Sequence, residues 1–224
     1  MFPTVDRFGA PATAALALGV GTGCLRDSVT PFPAGLEPLG TCSADPLPPT
    51  EADPTPQGFN TDFGEDDTWK WATGCGYLDA DVATVWQAIQ DPEVVIDRRK
   101  VTEWTVTATD IEPEYDVSFR VHLLIDDIIT VEYDTDWRQG VWEGTVDAPV
   151  SVAARFQKTD GLALIELLEG SVLLDTTDDG GTAIEMVEHL VAPGYSAEEL
   201  AVYLDDVYQS VLARAQGEPL PTYD

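Results

Sequence analysis

The chain has 224 residues, 41 of them acidic and 11 basic, for a formal net charge of −30. Such a polyanion is repelled by nucleic-acid phosphates and by anionic membrane surfaces, so nucleic acid is excluded and membrane contact requires a lipid or apolar anchor. Hydrophobic residues at 44% and aromatics at 9% support one packed domain with tails.

At the N-terminus, a short apolar run from Ala14 to Val20 follows Arg7 and ends in Gly21, Thr22 and Gly23. It is too short to span a bilayer as a helix, and its order is that of a secretory signal. The small residues end at Cys24, which resembles a bacterial lipoprotein lipobox. Residues 1–23 are therefore expected to be a signal peptide, with lipid attached at Cys24. Leu25 stands where an inner-membrane retention signal would resemble Asp, so the outer membrane is favoured as the destination of this exported, envelope-held protein; a secreted or periplasmic protein is the alternative. With Cys24 assigned to lipid, Cys42 and Cys75 remain as a pair for a disulfide in an oxidising compartment. The alternative is that Cys75, sharing a strand face with Trp71 and Tyr77, points inward as a small apolar core residue.

Residues 24–66 read as a proline-rich tether. Eight of the chain's 16 prolines fall between residues 25 and 66, and no helical or strand period survives there. Proline fixes φ and removes a donor, so an extended reach on the order of 100 Å is expected.

From residue 67 the texture changes, and 67–218 read as one domain, with 219–224 as a tail. Trp69 and Trp71 alternate with Lys70 and Ala72, a strand signal. Asp79 can cap a helix carrying Val82, Val85, Trp86 and Ile89 at helical spacing, and Asp91-Pro92 starts a second, short one. Alternating strands follow through Thr102–Ala108, Val117–Leu123, Ile129–Tyr133 and Val150–Phe156, with hairpin signals at Asp160-Gly161 and Gly180-Gly181, and a last strand over Thr182–Ala192. Each strand has one polar and one apolar face, which describes an antiparallel sheet wetted on one side. Ser196 and Glu199 make a capping box. Leu200, Tyr203, Leu204, Val207, Tyr208, Val211 and Leu212 then form one apolar stripe on a long terminal helix that must cover the sheet.

The order of elements, together with the Val85-Trp86 pair in GYLDADVATVWQAIQDPEVV and Gly170, Gly181-Thr182 and Pro193-Gly194 in LEGSVLLDTTDDGGTAIEMVEHLVAPG, resembles the START-like (SRPBCC) superfamily over about residues 68 to 217. The resemblance implies an α+β helix-grip fold. A curved antiparallel sheet of six to seven strands would wrap on a long C-terminal helix, with two short helices after strand 1. It also implies an apolar cavity that binds lipids, polyketides, sterols or other hydrophobic molecules, and it carries over no catalytic residue.

Parity then selects the candidate residues. Trp104, Phe119, Val121, Tyr133, Phe156, Met186, Tyr203 and Val207 fall on inward positions and are the expected ligand contacts. Glu188 shares parity with Ile184, Met186 and Leu190. A carboxylate there could act as a general acid or base, against the plainer reading that it sits at a rim or pairs with an arginine. Glu166 poses the same question in a run of uncertain parity. His122 and His189 fall on polar parities, and with no Cys-x-x-Cys motif no metal site is expected. The cluster of Asp175, Asp178 and Asp179 reads as a solvated turn. No cofactor motif is present. The leading function is an envelope-anchored carrier or sensor of a hydrophobic small molecule or lipid. The rivals are a cyclase or aromatase-type enzyme using the same cavity and a cavity-less interaction module.

Overall fold

The computed structural model describes residues 27–45, 47, 50, 52, 53 and 56–223. The expected signal peptide and Cys24 lie outside these residues. Eleven elements run in chain order: β1 (Gly58–Glu65), β2 (Lys70–Leu78), α1 (Val82–Ile89), α2 (Pro92–Val95), β3 (Glu103–Thr109), β4 (Val117–Asp126), β5 (Thr130–Thr145), β6 (Ala148–Gly161), β7 (Leu167–Thr176), β8 (Thr182–Val191) and α3 (Ala197–Ala215). The strands form one antiparallel sheet in the order β1-β2-β8-β7-β6-β5-β4-β3. With α3 laid on its inner face, this is the α+β helix-grip fold. The sheet has eight strands rather than six or seven, because β1 arises inside the stretch read as tether. The two short helices accordingly follow the second strand.

Capping explains where the helices start. Ser196 and Glu199 form the expected capping box on α3, and Asp91 caps α2 with Pro92 in its first turn. α1 is capped by Asp81, whose side chain accepts from the Thr84 N–H at 2.8 Å, and not by Asp79. One buried polar pair fixes α1 on the sheet. Trp86 Nε1 donates to Gln139 Oε1 at 2.9 Å, and Gln139 Nε2 donates to the Ile89 carbonyl at 3.1 Å. The tail folds back: Arg98 donates to the Pro221 carbonyl at 2.7 Å, and its guanidinium lies 4.9 Å from the Tyr223 ring centroid.

The largest departure from the sequence reading is the segment 27–45. It is a strap across the outer face of the sheet and does not reach away from the domain. It begins beside the end of β6, where Ser28 and Thr30 donate backbone N–H groups to the Gly161 and Thr159 carbonyls at 2.7 and 2.9 Å. It then crosses β7 and β8, where Leu39 N donates to Ser171 Oγ and Cys42 N to Glu185 Oε2. A disulfide joins Cys42 to Cys75 on β2, and Asn60 on β1 donates to the Asp45 carbonyl at 2.7 Å. Cys75 therefore faces outward, beneath the strap, and the inward alternative for it is corrected.

The prolines suit this course. Pro31, Pro33 and Pro38 have no N–H to satisfy, so the strap needs donors for its carbonyls more than acceptors for its N–H groups. The sheet supplies them from long polar side chains. Gln157 donates to the Pro31 carbonyl at 2.9 Å, Arg138 to the Phe32 carbonyl at 3.3 Å and also to that of Pro33, and Arg155 to the Glu37 carbonyl at 2.7 Å. The Arg138 guanidinium also lies 3.7 Å from the Phe32 ring centroid, and its Nε is 2.6 Å from a Glu112 carboxylate oxygen. Lys158, only 1% exposed, donates to Ser28 Oγ at 2.8 Å.

Candidate functional site

The inner face carries the apolar core, and at one end of it lies a cavity of about 70 Å³. Its walls come from four places. β4 contributes Leu123 and Ile125. β5 contributes Tyr133, Thr135 and Trp137, with Phe156 beside them from β6. β7 and β8 contribute Leu168, Glu188 and Leu190. Asp97 and Lys100 after α2, and Tyr195 and Tyr203 around the start of α3, close the remaining side. Most of the lining is apolar. Asp97, Lys100, Ile125, Leu168, Ala192 and Tyr195 are half-buried and form its rim.

Ring stacking builds the floor. Trp137 stacks on Phe156 with centroids 4.4 Å apart, and on Phe119 at 6.0 Å. The opposing residue on β7 is Gly170, and a Cβ there would stand 2.2 Å from the Phe156 ring. Glycine at this position lets the ring lie across β7 beside Glu188, which pairs with Gly170 from the other side.

Glu188 is the chemical focus. It is 3% exposed, and its Oε2 has no hydrogen-bond partner among the described residues. No arginine, lysine or histidine pairs with it there. Burial, with a smaller contribution from the Asp97 charge, pushes its carboxyl well above the ordinary glutamate range. Asp97 is raised as well, chiefly by burial, although it accepts from the Tyr195 hydroxyl and from the Arg99 N–H at 3.0 Å. Tyr203 donates to the Val95 carbonyl at 2.7 Å. Burial raises all three of Tyr133, Tyr195 and Tyr203, so each remains a neutral phenol. The rim cation is already engaged: Lys100 Nζ is 2.7 Å from a Glu199 oxygen and 5.2 Å from the Tyr195 ring centroid.

Three of the eight expected contacts line this cavity: Tyr133, Phe156 and Tyr203. Phe119, Val121, Met186 and Val207 are buried core outside it. Trp104 shares the inner face with Leu123, its partner on β4, but β3 is the edge strand and leaves it 39% exposed. Parity is correct for all of these. What parity cannot show is how far α3 reaches along the sheet. Glu188 points inward as its parity suggests, and it belongs to the wall, without the arginine partner of the plainer reading. Glu166 is an exposed loop residue.

Both histidines sit on the outer face and are partly buried. His122 Nδ1 is 2.7 Å from Asp134 Oδ1; His189 lies 3.1 Å from Glu169 and stacks on Trp69. Sequence reasoning missed Asp97 and Tyr195, whose loops have no period to assign them a face. It also missed Trp137, whose strand continues beyond the alternation through Tyr133.

No family model matches this sequence, and neither does any curated protein. Solved structures do match by shape. Human STARD10 superposes with a TM-score of 0.51 at 10% identity, over 72% of this chain and 71% of that one. The human StarD13 (DLC2) lipid transfer and protein localization domain gives 0.49 at 8% identity, over 73% and 85%. The Zhui aromatase/cyclase from Streptomyces sp. R1128 gives 0.41 at 10% identity, over 71% and 94%. At 10% identity the likeness to STARD10 fixes the fold and says nothing of the chemistry.

Proposed function

We propose that this protein is a carrier or sensor of a compact hydrophobic molecule, held at the cell envelope by a lipid on Cys24. The observation that carries the binding reading is the aromatic-floored cavity with one unpaired carboxyl in its wall. A protein interior closes around its apolar groups at crystal-like density and partners its buried polar groups. A void bordered by an orphan carboxyl departs from both rules at one place, as a binding site does. The size restricts the ligand. About 70 Å³ is room for roughly five to seven water-sized centres, far below the 300–1,000 Å³ of sites for drug-sized molecules. In this conformation the site takes a small molecule or one end of a longer one, not a whole lipid.

The test is a titration of the full chain with toluene, followed in amide NMR spectra. Shifts should appear around Phe156, Glu188 and Tyr203, and should vanish in Ala192→Trp, where a ring would cover the rim. No shift in the wild type would mean a closed interior, and the interaction-module reading would replace this one. The anchor is tested separately. A clickable palmitate analogue fed to cells should label the wild type and not Cys24→Ser, and equal labelling would remove the anchor from the proposal.

A cyclase-type enzyme in the same cavity is the second reading. It is favoured only by Glu188, whose carboxyl burial shifts toward its proton-holding form beside a cavity that could take a carbonyl.

A further inference from the structure

The cavity's polar groups are acids and phenols, with no free cation. Glu188 and Asp97 both border it, and Tyr133, Tyr195 and Tyr203 present rings or hydroxyls to it. Lys100 at the rim is tied to Glu199. An anionic ligand head would meet two carboxyls and no free cation. A neutral hydroxyl would satisfy Glu188 Oε2 but would do nothing to stabilise the carboxylate form that burial disfavours. An ammonium group answers both needs, since it donates to the orphan oxygen and supplies the missing opposite charge. The surrounding rings favour the same choice, because aromatic faces attract cations at short range.

We infer that the cavity takes a compact organic amine, with its ammonium on Glu188 and its apolar body on the Trp137 and Phe156 rings. This rests on the reading of the cavity as a binding site. Asp97 and the Tyr195 hydroxyl it holds would form the outer side of the ammonium's surroundings, and Leu190 would flank the body.

The experiment compares three probes of one length on the full chain by the same NMR titration: n-pentylamine, n-pentanol and pentanoate. Pentylamine should bind about tenfold to a hundredfold tighter than pentanol, the weight of one hydrogen bond to a charged group. Pentanoate should bind most weakly. In Glu188→Gln, which keeps the shape and removes the charge, pentylamine and pentanol should become equal. If pentanol matches pentylamine in the wild type, or pentanoate exceeds it, the amine inference falls while the cavity remains a binding site. If none of the three shifts a resonance, and toluene does not either, both readings fall together. The wild-type comparison is decisive even if Glu188→Gln folds poorly.

Discussion

The two faces of the sheet treat buried polar groups in opposite ways. Under the strap, Arg138, Arg155, Gln157 and Lys158 are buried and each has named partners, mostly strap carbonyls. In the cavity, Glu188 is buried just as deeply and one of its oxygens has none. The outer face is largely completed from within the chain; Arg138 Nε keeps only its ion pair with Glu112, and the nearby Thr159 Oγ1 has no hydrogen-bond partner among the described residues. The inner face is incomplete at one point. Burial alone therefore does not distinguish a structural polar residue from a functional one, but the state of its partners does.

The comparison can be broken first at the disulfide. The Cys42–Cys75 bond closes a span of 33 residues. Replacing both cysteines with serine should cost about 3–4 kcal/mol in urea unfolding by the chain-entropy model. A loss below about 1 kcal/mol would mean that the strap stays docked without it. Peptide mapping of unreduced protein should show the two peptides linked.

Next is Arg138→Ala. This removes donors from the Phe32 and Pro33 carbonyls and the charge beside Glu112. Stranded acceptors of this kind cost about 2–3 kcal/mol. Limited proteolysis should cut within the strap sooner than in the wild type.

The inner face should respond with the opposite sign. Glu188→Gln removes a buried carboxyl whose ionisation nothing compensates and should raise stability by about 1 kcal/mol at pH 8. The pH profile sharpens the point. Burial raises the folded-state pKa of Glu188 above its unfolded value, so the folded protein binds that proton more tightly. The associated stability is complete below the unfolded value of about 4.3 and is lost as pH rises through the higher folded value. Wild type and Glu188→Gln should therefore coincide near pH 4 and separate toward pH 8, with the variant the more stable. Thermal midpoints across that range test this, and parallel profiles would show that the carboxyl has found a partner.

The smallest effect is expected at Gly170→Ala. The added methyl would push the Phe156 ring away from β7 and into the cavity. Stability should change by about 1 kcal/mol or less, because the ring has a void to enter, while toluene binding should be lost.

These contrasts also show what was legible in the sequence. Period-two alternation marked β3, β4, the start of β5, β6 and β8, and the stripe from Leu200 to Leu212 marked α3, because both patterns follow from one buried face; β7 and the rest of β5 carried no such readable alternation. Glu188 was legible as inward for the same reason. The strap was not. Its prolines and lack of period describe a solvated linker equally well, and Arg155 and Gln157 on the outer parity read as an ordinary wet face. A hint lay in the long side chains placed there opposite a segment rich in carbonyls without matching N–H groups. The cavity position was hidden because it depends on loops at residues 96–100 and 192–195, where no period assigns a direction.

The course of the strap has a mechanical consequence. Its noncovalent contacts at Ser28, Thr30, Pro31, Phe32, Pro33, Glu37 and Leu39 all lie on the N-terminal side of Cys42. A pull on the chain before Asp27 would load these bonds in sequence, each failing before the next bears tension. The load then stops at a covalent link into β2, an interior strand flanked by β1 and β8. Up to that point the strap yields as a zipper. Beyond it, the force acts on the sheet itself, and β1 and α3 are not drawn on directly.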